Sequence, residues 1–188
     1  MQPYVAKDFS HLLGTPGMSD MLLSNHFTLY QGYVTNTNKL IDLLKTKEVG
    51  TPEYGELHRR FGWEWNGMRL HELYFGNIGK HGVPLSERNL KKMIEATWES
   101  VENWEKEFRG MAAMRGIGWV ILCLDKKEGK LFNVWVNEHD AGHLAGLVPL
   151  LVMDVFEHAF MVDYGLKRAD YIAAFMQAID WHAVEERM

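Results

Sequence analysis

The stretch DVFEHAF, residues 154–160, sets a carboxylate and an imidazole four positions apart. At that spacing Asp154 and His158 can face one point in space, and Glu157 puts a second acid beside the histidine. That point is a metal, a catalytic proton relay or a solvated helix edge. Which one it is depends on the donors that converge on it from elsewhere in the chain.

Nine histidines, at positions 11, 26, 58, 71, 81, 139, 143, 158 and 182, are available. Three stand among apolar neighbours: His26 in LLSNHFTLYQGY, His71 in GMRLHELYF, and His158 flanked by Phe156 and Phe160. Three imidazoles and the Asp154 carboxylate suit Zn, Mn or Fe in a closed, dry site. A carboxylate buried without a partner is costly, so a cation is its natural companion there. Neither HExxH nor CxxC occurs, so the short zinc signatures do not apply.

The rest of the chain narrows the classes. Its 188 residues are 47% hydrophobic with only five prolines, enough for one globular domain or two small ones sharing a core. A net charge of −5 argues against a nucleic-acid binder. The lone Cys123 excludes an internal disulfide and fits a reducing compartment. MQPYVAKDFSHLLG lacks the basic region and apolar run of a signal peptide, and no apolar run is long enough for a membrane span. A soluble cytoplasmic protein with no membrane partner is expected.

Periodicity predicts the elements. Ser19 and Asp20 offer caps, and apolar residues recur at helical spacing to about Thr46. A second helix is predicted over about 52–74, interrupted near Gly62 and Gly67, with KEVGTPEYG as the turn of an antiparallel hairpin. GNIGKHGVPLS reads as a linker, dividing an N-terminal helical-hairpin domain, 1–80, from a C-terminal domain, 81–188. Residues 86–114 read as one or two helices. GIGWVILCLD and KLFNVWVNEHD read as strands joined by KKEGK, LLVMD as a third extended segment, and the chain from Val155 onward as helical.

DVFEHAF resembles the DxWEHAY signature of the iron/manganese superoxide dismutase family. The likeness extends outward. VPLLVMDVFEHAFMVDYGLKRADYIAAFMQAIDWHAVEER resembles the family's C-terminal run, GIGWVILCL its Gly-Ser-Gly-Trp strand, LHELYF its Asn-His-x-x-Tyr-Trp segment, and YQGYVTNTNKL its Thr-Tyr-Val-x-x-Asn run. Separate motifs in the right order cover nearly the whole chain.

The resemblance implies an α+β fold: an N-terminal antiparallel helical hairpin packed on a C-terminal domain with a three-stranded antiparallel sheet. It implies one Fe or Mn ion per subunit, held by His26, His71, Asp154 and His158, and dismutation of the superoxide anion. Tyr33 is implied as the gateway tyrosine, Tyr74 and Trp119 as lining, and Arg168 as the arginine of the substrate funnel, against a plain reading of Arg168 as a surface charge. Phe75 and Phe156 stand where the family usually has tryptophan. The residue that bonds metal-bound solvent comes in the family from one of two positions. Here these are Gly67, which has no side chain to donate, and His139, which is therefore implied; that arrangement leans towards iron. Glu157 is implied to bridge to His158 of the partner subunit in a homodimer or homotetramer, as a carboxylate that orients a metal-bound imidazole.

Two departures keep open an alternative, a metal-binding relative with weak or no dismutase activity. The usual interface hydrogen bond has no counterpart, because the two regions read Leu29-Tyr30 and Phe160-Met161. The spacing from His26 to Tyr33 is seven, where the family usually has eight. An ungapped alignment on Tyr-Val would put Asn25 in the ligand position, but an amide is the poorer ligand, and seven residues is about two helical turns. A regular helix with His26 and Tyr33 on one face is expected, without the widened turn that eight would need. A hydrolase using the same ligands is a more distant reading, needing an open coordination position and a base.

Overall fold

A computed structural model describes residues 2–86 and 88–188. Helix α1 (Asp20–Thr46) is α-helical throughout, as the seven-residue spacing predicts. Ser19 Oγ caps it, accepting from Leu22 N at 3.1 Å and satisfying one of the donors a helix start leaves free. The buried stripe Leu22, Leu23, His26, Tyr30, Val34, Thr37 and Leu40 faces α2 (Pro52–Phe75). Helix α2 begins with Thr51 accepting from Tyr54 N and Pro52 in its first turn.

The interruptions expected at Gly62 and Gly67 do not occur; α2 is continuous. A helix-interior glycine costs roughly 1 kcal/mol relative to alanine, too little to break a helix packed along its length. Gly67 has a packing reason. A Cβ there would come within 2.5 Å of the Tyr33 ring, whereas at Gly62 a Cβ would meet nothing within 4 Å.

The expected linker is stitched to the C-terminal half of the chain. Buried Asn77 accepts from Val152 N at 2.7 Å and donates to Val152 O at 3.2 Å. Ile78 and Val83 form bridges with Ile179 and Asp180. Residues 86–114 hold two helices, α3 (Asn89–Trp98) and α4 (Val101–Ala112), with Glu87 outside the described residues. They part at Glu99, which is left-handed at φ 67°, and Ser100 caps the second.

Strands β1 (Gly118–Asp125), β2 (Lys130–Asn137) and β3 (Val148–Asp154) form an antiparallel sheet in the order β2-β1-β3. The central strand is apolar along nearly its whole length because α3 and α4 pack on β1 and β2 while α2 packs near β3. The β1–β3 register sets Trp119 opposite Asp154. Beyond Asp154 the helical end expected from Val155 onward is a 3-10 turn (Glu157–Ala159), α5 (Met161–Tyr164), α6 (Arg168–Ala178) and α7 (Trp181–Glu185). Gly165, at φ 53°, ends α5 in a conformation that favours glycine. No described helix is long and apolar enough to cross a membrane.

Candidate metal centre

Asp154 is the last residue of β3, fully buried, and its two oxygens have separate tasks. Oδ1 accepts from Phe156 N at 2.8 Å, which turns the chain and fixes the carboxylate plane. Oδ2 meets three imidazoles: His26 Nε2 at 3.2 Å, His158 Nε2 at 3.1 Å and His71 Nε2 at 3.7 Å. One donor atom from each of the four residues lies within 4.8 Å of all the others. Asp154 and His158 do face one point, and α1 and α2 each bring a histidine to it. His26 points inward from α1 while its neighbour Asn25 is exposed.

Tautomers show what the point is suited to hold. His71 Nδ1 lies 2.6 Å from the Gly67 carbonyl, which only accepts, so the ring proton sits on Nδ1. His71 Nε2 is then a bare lone pair, buried without a hydrogen-bond partner among the described residues and facing a carboxylate oxygen. Burial lowers the pKa of both His26 and His71, so neither is readily protonated to neutralise that arrangement. Burial alone would raise the Asp154 carboxyl. The facing His158 and His26 outweigh it and hold the carboxyl well below the usual carboxylate range. A buried carboxylate facing the bare His71 nitrogen calls for a cation, and this donor set suits Fe, Mn or Zn.

The walls are aromatic. Phe75 packs edge-on to His26 at 4.9 Å between ring centroids, and Phe156 stacks on His158 at 5.1 Å, so phenylalanine closes both positions where tryptophan was the family expectation. Trp119 meets the His71 ring edge-on at 5.0 Å. Tyr74 lies 5.2 Å from His26, and its hydroxyl is 3.2 Å from that of Tyr171, which donates to the Asp154 carbonyl at 2.7 Å.

His139 lies just past β2, where Asn137 and Ala141 bond each other and close a tight loop that buries its side chain. Trp119 Nε1, which can only donate, gives its proton to His139 Nδ1 at 3.1 Å. Burial pushes the His139 pKa down to about 4, so the ring is neutral and its one proton is on Nε2, directed at Tyr33 Oη 2.7 Å away. Tyr33 Oη accepts there, and its own proton is left to point elsewhere. Burial, with Asp154 and Glu64 adding in the same direction, raises the Tyr33 pKa and keeps that proton on the hydroxyl.

Arg168 is half-buried. Its Nη1 donates to Gly116 O at 2.9 Å, and its guanidinium lies 5.9 Å from the Phe160 ring centroid. Glu157 is exposed beside His158, whose side chain keeps 28% of its surface. One wall residue escaped the sequence reading. Trp63 meets His139 edge-on at 4.9 Å. Its signal was available, since Trp63, Gly67 and His71 follow one another at four-residue steps on α2 and so share a face.

Fold and cluster together define a class: a helical hairpin joined to an α+β unit, with a metal-competent set of three histidines and one aspartate drawn from both. The chain belongs to the iron/manganese superoxide dismutase family. The model of that family's C-terminal domain matches residues 86–187. An iron superoxide dismutase of Cupriavidus metallidurans is 37% identical over 177 residues, covering 91% of this chain and 88% of the relative. One from Aquifex pyrophilus is 36% identical over 180 residues, covering 91% and 84%. A manganese superoxide dismutase of Haloferax volcanii is 35% identical over 171 residues, covering 88% and 84%.

Proposed function

We propose that this chain is a superoxide dismutase in which His26, His71, Asp154 and His158 hold one iron or manganese ion, iron in preference. The observation that carries the reading is the bare, buried His71 Nε2 facing Asp154 Oδ2 within a three-histidine ring. When bound, such an ion supplies the reversible one-electron exchange by which two superoxide anions become oxygen and hydrogen peroxide, an exchange zinc does not undergo.

The chain's own residues supply the rest. Asp154 contributes the one anionic donor, and Gly67 O, by holding the Nδ1 proton of His71, orients that imidazole. Phe75, Phe156 and Trp119 exclude bulk water. The reaction consumes two protons, and the run Trp119 to His139 to Tyr33 is polarised in one direction, leaving the Tyr33 hydroxyl proton free to be given to product. Tyr74, through Tyr171, steadies the Asp154 backbone. Arg168 is assigned to attracting the anion on the His158 side, where its charge acts on Asp154.

Glu157, exposed next to a partly exposed His158, is assigned to reach His158 of the partner subunit in a homodimer or homotetramer. A reducing, cytoplasmic setting suits a chain whose one cysteine is buried. The second reading, a metal protein of weak turnover, draws on Tyr30 and Phe160. Tyr30 Oη is occupied within the chain by Glu72 and Lys7 N, and Phe160 stacks on Tyr171, so neither serves the family's interface bond. Loading metal-free protein separately with iron, manganese and zinc and following superoxide consumption separates the readings. Turnover with iron or manganese and none with zinc supports the enzyme; tight iron or manganese binding without turnover supports the second.

A further inference from the structure

Helix α2 carries, midway along its length, a charge pair that the metal centre does not use. Arg60 and Glu64 are one turn apart, with Arg60 Nη2 2.6 Å from Glu64 Oε1. The pair is lopsided: the Arg60 side chain keeps 51% of its surface and that of Glu64 only 3%. Its negative end is sunk into the helix interface, where Asn36 Nδ2 also donates to Glu64 at 3.3 Å, and its positive end faces solvent. The Arg60 guanidinium lies 5.1 Å from the Trp63 ring centroid, and Trp63 is the ring that abuts His139. From the surface inward the order is cation, indole, then the His139–Tyr33 pair.

Both charges act on that pair. After burial and Asp154, Glu64 helps hold the Tyr33 proton on while Arg60 opposes it, and Arg60 is also felt at His139. The chain as a whole is an anion, so attraction of an anionic substrate has to be local.

Building on superoxide as the substrate, we infer that Arg60 is a second specificity-determining cation, guiding the anion to the Tyr33 side of the site, and that buried Glu64 tunes it as a counter-charge. Glu64 positions the guanidinium over Trp63 and moderates its field. The outward end of the pair remains positive at the separation an approaching anion first meets.

The test uses opposite signs. In metal-loaded protein, kcat/KM for superoxide is measured against ionic strength for Arg60→Gln, Glu64→Gln, Arg60→Lys and the double variant Arg60→Gln/Glu64→Gln, each normalised to bound metal. A single exposed charge one indole away from the His139–Tyr33 pair is expected to change the low-salt rate about threefold. Arg60→Gln should lower kcat/KM and flatten its salt dependence. Glu64→Gln should raise it and steepen the dependence. Arg60→Lys and the double variant should stay near wild type. A purely structural role for the pair would lower both single variants alike. That result, or salt profiles unmoved in all four, overturns the assignment while leaving the dismutase reading intact. A wild type that binds metal and consumes no superoxide overturns the dismutase reading, and this assignment falls with it.

Discussion

Gly67 lies beneath the ring of Tyr33: a Cβ built on it would stand 2.5 Å from Tyr33 Cδ1. The close approach lets Tyr33 stack on His71, at 5.1 Å between centroids, and reach His139 with its hydroxyl. Elsewhere in a helix Gly→Ala would stabilise by roughly 0.5–1 kcal/mol. Here the overlap reverses the sign. Gly67→Ala is expected to destabilise by about 1–2 kcal/mol, as overpacking does, and to lower turnover while bound metal is retained. Urea unfolding and metal content check it, and a stabilised, fully active variant would refute the packing argument.

Tyr33→Phe removes the hydroxyl and leaves the ring. Metal binding should be unaffected, because the Tyr33 hydroxyl is directed at His139 and not at the four-residue cluster. Turnover should fall by roughly a hundredfold, the lower end of the range for loss of a positioned proton donor. Loss of metal along with the hydroxyl would place Tyr33 among the groups that hold the ion.

His139 makes a pH prediction for the metal-free protein. Its folded pKa, about 4, lies below the ordinary 6.5 because the ring is buried neutral. Between those values the unfolded chain binds a proton that the folded one does not, so stability rises with pH across that window. The contribution is complete above pH 6.5 and is lost as pH falls towards 4, amounting to roughly 3 kcal/mol at most. His139→Gln should flatten the fall of urea-unfolding stability from pH 6.5 to 4. His26 and His71 are present in both proteins, so the difference isolates His139. Parallel pH profiles would contradict a buried neutral imidazole.

Glu157→Ala is expected to weaken both association and metal retention, since the same carboxylate is assigned to both across the subunit interface. Sedimentation and metal content should fall together. A wild type that sediments as a monomer would remove the basis for this coupling.

Asp154 and His158 were legible because both belong to one short local turn. His26 and His71 were legible because each interrupts an apolar stripe on a long helix. The His26 register followed from helix geometry, and the uninterrupted α1 with Asn25 outside agrees with it. Contacts between elements were not legible. Nothing in GWEWNGMRLH states that Gly67 makes room for a ring from α1, so that glycine read as an interruption. Trp63 reaches His139 only because the loop after β2 folds back onto α2. The expected linker at Asn77 is held by two bonds to β3, a long-range contact invisible to local composition. The helical C-terminal run was legible, but the boundaries within it depend on single backbone angles such as that of Gly165.

The central claim is that His26, His71, Asp154 and His158 hold one redox-active ion that turns over superoxide. The most direct measurement is the rate of superoxide consumption as a function of iron bound per chain, for wild type and Asp154→Ala together. The account predicts that the wild-type rate climbs linearly to a break at one ion per chain. Asp154→Ala, which leaves three neutral donors for a charged ion, should bind little iron and add little to the spontaneous rate. A wild type that fills to one iron without accelerating superoxide loss, or an Asp154→Ala variant that fills and turns over as the wild type does, would contradict it.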